Sequence, residues 1–133
     1  MYKLSGKKRL ESLIVLSSSY TVKETVDRLI LLLEHFQMAI YARINRKNES
    51  KWHGVESRDV ECILFDKPQL STPIIDKNPT LAMHFPMKII VWEEDGCQVA
   101  FLDPASMLQQ HDPPLEMPGW PDLWNGIIQA LEK

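Results

Sequence analysis

The chain has 133 residues, 44% of them hydrophobic and 25% charged, with a formal net charge of -3. That length and composition suit one globular domain that needs neither a metal nor a disulfide to bury a core. The acidic balance, with one short basic run at Lys7-Lys8-Arg9, speaks against a nucleic-acid binder, and no apolar run approaches the 18 residues of a membrane span.

Taken in chain order, residues 10–16 read as a first strand, broken by Ser17-Ser18-Ser19. Thr21-Val22-Lys23-Glu24 has the form of a capping box, in which a hydroxyl meets the orphan amide three residues on. A helix is expected from there to about Phe36, with Val22, Val26, Leu29, Ile30, Leu33 and Phe36 on one face at spacings of three and four. Met38 to Ile44 alternates with period two and reads as a half-buried strand. Residues 45–59 are polar without a clear period and read as a loop with at most a helical turn. Val60 to Phe65 reads as a strand ending at Asp66-Lys67-Pro68.

Thr72-Pro73, Asn78-Pro79 and Asp103-Pro104 each pair a capping side chain with a proline, which lacks only an amide that would be orphaned at a helix start. Short helical turns are therefore expected after Thr72 and Asn78, and a short helix from Pro104 to about Gln110. Met87–Trp92 and Gln98–Leu102 read as strands joined through Asp95-Gly96, a hairpin signal. A proline-rich link from Pro113 to Pro121 leads to a last helix, Asp122–Leu131. The whole reads as a single domain, 1–133, with its core over about 10–112 and the link and helix at 113–133. About five strands, largely antiparallel, with helices packed on one face make an α+β layer architecture.

Several stretches together resemble the domain of unknown function 302 family. They are Ser19 to Leu29, Ile40-Tyr41-Ala42-Arg43-Ile44, Thr72-Pro73-Ile74-Ile75 with Asn78-Pro79, Phe85-Pro86-Met87-Lys88 leading into Val91-Trp92-Glu93, and Asp103-Pro104. The resemblance runs from about residue 12 into the final helix. It implies a fold similar to that of the TATA-binding protein, with a curved antiparallel sheet, and it implies a homodimer. It carries no established activity, and the fold relation by itself carries no DNA binding. Where family members commonly have Asp-His after the second strand, this chain has Asn45-Arg46. Where they often have Gly-Asn-Pro, it has Asp66-Lys67-Pro68.

Among chemistry-bearing residues, an anion site is expected at the Thr72-Pro73 helix start, with Lys67 upstream, Arg46 approaching from a strand end and Asp66 orienting them. The alternative to this site is an ordinary capped turn with two solvated cations. Asp103 and His111 flank one short helix and form either an acid–base pair or, respectively, an N-cap and a dipole-stabilised C-terminal residue. His35, His53, His84 and His111 lack metal-ligand spacing, so neither metal nor cofactor is expected. No Gly-x-Ser-x-Gly elbow is present. Cys62 and Cys97 lack Cys-x-x-Cys spacing and read as buried free thiols, with a disulfide between them left open. Met1 to Gly6 shows no leader pattern, which points to the cytoplasm.

The reading adopted is a non-catalytic module, a homodimer that binds a small anionic ligand or a protein partner, without nucleic acid or membrane. The candidate binding positions are Arg46, Asp66, Lys67, Thr72, Asp103 and His111. The competing reading is an enzyme of unidentified class using Asp103 and His111.

Overall fold

A computed structural model of the chain describes residues 13–109 and 118–133. Strands β1 (Leu13–Ser18), β2 (Ala39–Asn45), β3 (Val60–Asp66), β4 (Met87–Glu93) and β5 (Cys97–Leu102) form one antiparallel sheet in the order β1-β5-β4-β3-β2. This is the expected α+β architecture with a five-stranded antiparallel sheet, open at both edges.

Helix α1 (Val22–His35) begins as its sequence dictates. Thr21 Oγ1 accepts from the Glu24 amide at 3.1 Å and donates to Glu24 Oε1 at 2.9 Å. Its face of Val22, Val26, Leu29 and Leu33 lies against Ile63, Ile89, Val91 and Val99 of the sheet, and all four of those strand residues are fully buried. The last helix, α5 (Trp120–Leu131), adds Trp120, Leu123, Ile127 and Leu131 to the same core, and Phe101 meets Trp120 and Trp124 edge-on. Both long helices therefore lie on one side of the sheet. The β4–β5 hairpin turns through Asp95 and Gly96, at φ 52° and 103°, the left-handed conformations that an Asp-Gly turn supplies.

Four local expectations are corrected. Strand β1 runs on through Ser17 and Ser18, which pair with Gln98 and Cys97, because ladder partners outweigh the low strand propensity of serine. The polar stretch after β2 forms a helix, α2 (Arg46–Trp52), nucleated by Asn45, whose Oδ1 accepts from the Asn48 amide at 3.0 Å. Helix α3 spans Pro68–Lys77 and starts at Pro68, so Thr72-Pro73 falls inside it and opens no helix. Helix α5 begins at Trp120, two residues before Asp122, after Gly119 at φ 83°.

Asn78 does cap a start, accepting from Thr80 at 3.2 Å and opening a 3-10 turn, Pro79–His84. Helix α4 spans Pro104–Gln109. The expected strand start at 10–12, His111 and most of the proline-rich link lie outside the described residues.

Candidate functional site

The sheet register shows how a polar site arises at the edge of an apolar core. On the helix-facing side one cross-strand row runs Leu16, Val99, Val91, Glu61, Asn45, and the next runs Ile14, Phe101, Ile89, Ile63, Arg43. Both rows are apolar until they reach β3 and β2, where Glu61, Asn45 and Arg43 replace hydrocarbon. Glu61 is only 4% exposed. A buried carboxylate needs a charged or hydrogen-bonding partner, and Arg43 supplies one: its Nε donates to Glu61 Oε1 at 2.8 Å. The same guanidinium donates from Nη1 to Asp27 Oδ1 of α1 at 2.7 Å, and Lys23 Nζ donates to Asp27 Oδ2 at 3.0 Å.

Arg43 thus ties β2, β3 and α1 together through two carboxylates, a geometry its planar fork favours. The Arg43 and Lys23 hydrogen bonds hold the Asp27 carboxyl below its ordinary 3.8. The Glu61 and Asp27 carboxylates push the Arg43 guanidinium still higher, against its partial desolvation.

Over this network opens a groove of about 440 Å³, lined by Lys23, Arg43, Asn45, Lys47, Asp59 and Glu61. Its floor is the Arg43–Glu61 pair, and its rim carries Lys23, Lys47 and Asp59. The sequence signal for it was a lone charge in each of two apolar strands, Glu61 within Val60–Phe65 and Arg43 within Ile40–Ile44.

The residues singled out from sequence are placed as follows. Arg46 opens α2, beyond Asn45, which faces Glu61; Asp66 faces Ala39 at the opposite end of the same strand pair. Six residues of strand separate these ends, roughly 20 Å, so Arg46 does not converge with Asp66 and Lys67. Asp66, 6% exposed, accepts from Ser71 Oγ at 2.9 Å and from the Lys67 amide at 2.7 Å, so its carboxylate holds the first turn of α3. Lys67 Nζ donates to the Phe36 carbonyl at 3.2 Å, where α1 ends. Thr72 is an exposed position in the middle of α3. Asp103 is half-buried just before α4.

Cys62 and Cys97 are free thiols; Cys97 is buried, whereas Cys62 is only half-buried, which corrects the expectation for it. Cys97 Sγ donates to Thr25 Oγ1 at 3.4 Å, and Thr25 Oγ1 lies 2.7 Å from Ser18 Oγ. Burial pushes the Cys97 thiol up, the opposite of what a nucleophilic thiolate needs. Among the described residues no group of three or more His, Cys, Asp or Glu is placed to hold a metal ion. No described helix is long and apolar enough to cross a membrane.

Comparison with known proteins agrees with this architecture. The family model described as "Domain of unknown function DUF302" matches residues 14–131. A crystal structure of an uncharacterized conserved DUF302 protein from Bacillus stearothermophilus superposes with a TM-score of 0.70 at 16% identity, covering 91% of this chain and 96% of that one. Two fluoride-specific ion channels, FluC 1 of Brucella suis biovar 1 and FluC 2 of Brucella melitensis biotype 1, are each 26% identical over 101 residues. Each match covers 74% of this chain and 40% or 37% of the relative, so the chain spans about two fifths of the curated relatives it matches.

Proposed function

Because the chain belongs to the family described as domain of unknown function DUF302, we propose that it is a non-catalytic binding module, a homodimer that holds a small anionic ligand. The observation that carries this reading is the groove of about 440 Å³ over the Arg43–Glu61 pair, a volume within the range of small-molecule sites. Arg43 is matched by Glu61 and shares Asp27 with Lys23, which leaves Lys47 and the Asn45 amide at the rim, opposed by Asp59. An anion there gains the Lys47 ammonium and a share of Lys23, and meets no buried uncompensated carboxylate. Lys67 and Asp66 are engaged in holding α1 and α3, and Arg46 stands beside the groove in sequence, next to Asn45 and Lys47.

Occurrence of the matched stretch within longer relatives supports a module that works attached to, or against, other protein. The two free thiols support a reducing compartment, here taken as the cytoplasm.

The reading is tested by thermal shift against phosphate, sulfate and small carboxylates at fixed ionic strength. A ligand that binds only the folded state stabilises it in proportion to the logarithm of its concentration. At least one anion is expected to raise Tm in this way, and the effect is expected to vanish in the Lys23→Ala, Lys47→Ala double variant. Absence of any stabilising anion, or a shift unchanged in the double variant, overturns it.

A further inference from the structure

Two opposite charges in the groove remain once its ion pairs are assigned. Arg43 bonds both Glu61 and Asp27, and Lys23 bonds Asp27. Of the six lining residues that leaves Lys47, Asp59 and the Asn45 side chain. Lys47 is exposed and Asp59 half-buried, and among the described residues neither takes part in a salt bridge. They approach the groove from two elements. Asn45 faces Glu61 at the end of the β2–β3 ladder; Lys47 follows it on α2, and Asp59 precedes β3. Because the chain enters α2 at Arg46, the ladder does not carry Lys47 and Asp59 onto each other. Asp59 is anchored through its backbone, whose carbonyl accepts from the Glu93 amide at 3.1 Å. Its neighbour Arg58 pairs instead with Glu94, at 3.3 Å.

We propose that the ligand of this groove is a small zwitterion, an amino acid whose carboxylate meets Lys47 and Asn45 and whose ammonium meets Asp59. The inference rests on the anion reading above and narrows it to anions that also carry a cationic group. A simple anion drawn to Lys47 enters the field of Asp59, and like charges brought together oppose binding. A ligand with its own ammonium turns that repulsion into attraction, so the residue that disfavours one class selects the other. The uncommitted charges of the groove sum to zero, and so do those of the ligand.

Other occupants fit the lining less well. None of the six lining residues is aromatic or aliphatic, so a nucleobase has no ring to stack on there and a fatty chain no apolar wall. A divalent cation takes several oxygen ligands, whereas Glu61 is engaged by Arg43 and no three carboxylates or imidazoles among the described residues converge. A groove of about 440 Å³ has room for an amino acid together with bridging waters.

NMR titration of the 15N-labelled full chain tests the assignment, with amide dispersion as the check on folding. The zwitterions are glycine, β-alanine and γ-aminobutyrate, the simple anions acetate and phosphate, and the simple cation methylammonium, all at matched ionic strength. The amino acids differ in the distance between their charges. The one that matches the Lys47–Asp59 gap is expected to bind at least about 5-fold tighter than acetate, the scale of one added, partly exposed ion pair. Methylammonium is expected to bind more weakly than that amino acid. Asp59→Asn, which keeps the side-chain shape, is expected to bring the amino acid down to the affinity of acetate while acetate binds as well or better. Lys47→Ala is expected to weaken both. Lys77→Ala, at an exposed lysine outside the groove lining, is expected to bind like the wild type.

Acetate that shifts the groove while no amino acid binds tighter, or an amino-acid preference unchanged in Asp59→Asn, overturns the zwitterion and leaves the anion reading standing. No saturable shift at the groove with acetate, phosphate or any of the amino acids overturns both.

Discussion

Arg43 and Glu61 meet diagonally across the β2–β3 pair: Arg43 stands opposite Ile63 and Glu61 opposite Asn45, and Arg43 Nε lies 2.8 Å from Glu61 Oε1. Glu61 is buried, and that guanidinium is its ion-pair partner. Removing one member of a buried pair strands the other, whereas replacing both with hydrocarbon is close to neutral. Arg43→Ala is expected to destabilise the fold by about 2–4 kcal/mol. The double variant Arg43→Met, Glu61→Leu should recover most of that loss. Urea denaturation in a double-mutant cycle measures the coupling, and strictly additive losses would contradict the role given to the pair.

Asp27 gives the protein an acid-sensitive contact. Its folded-state carboxyl is held below its ordinary value, chiefly by Arg43 and then by Lys23. A depressed carboxyl contributes stability that is complete above the unfolded value and is lost as pH falls through the folded one. The wild type should therefore exceed Asp27→Asn in stability at neutral pH, and the gap should close below about pH 4. Because the Asp27 side chain is 41% exposed, solvent screening limits the gap to about 1 kcal/mol or less. Denaturation curves recorded from pH 7 to pH 2.5 read this directly; a gap that widens in acid would contradict it.

The polar residues at the β3–α3 junction act on stability. Asp66→Ala removes the acceptor of both the Ser71 hydroxyl and the Lys67 amide and is expected to cost about 1–3 kcal/mol. Thr72→Ala, at an exposed mid-helix position, should stay within about 0.5 kcal/mol. Equal losses from the two substitutions in chemical denaturation would show that the junction is not organised around Asp66.

Two neighbouring leucines of α1 separate the core from the surface. Leu29 is fully buried and Leu31 is 68% exposed. Leu29→Ala should cost about 2–5 kcal/mol by leaving a cavity against the sheet, and Leu31→Ala should leave the denaturation midpoint nearly unchanged.

Much of this fold was legible because its signals were local. Thr21 and Glu24 announce α1, Asp95-Gly96 announces the hairpin, a period-two run announces β2, and short apolar runs mark β3, β4 and β5. Helix α3 was misplaced because Pro68 and Pro73 both suit a first helical position, and the choice between them falls to the Asp66 carboxylate, which grips Ser71 five residues away. Helix α2 escaped notice because it buries no residue, so no apolar period marks it, and only the Asn45 cap signals its start. The groove was harder still. Lys23, Arg43, Lys47 and Glu61 lie on α1, β2, α2 and β3, and only the sheet register brings them together. Their one sequence trace is a charge on the core-facing side of an apolar strand.

The most direct test of the binding-module account is a 15N-resolved NMR titration of the intact chain with phosphate and small carboxylates. The amides of Asn45, Lys47 and Asp59 should shift together and saturate with a single dissociation constant, while those of Lys67 and Thr72 stay still. Saturable shifts confined to the Lys67–Thr72 segment, or no saturable shift at the groove with any of these anions, would contradict it.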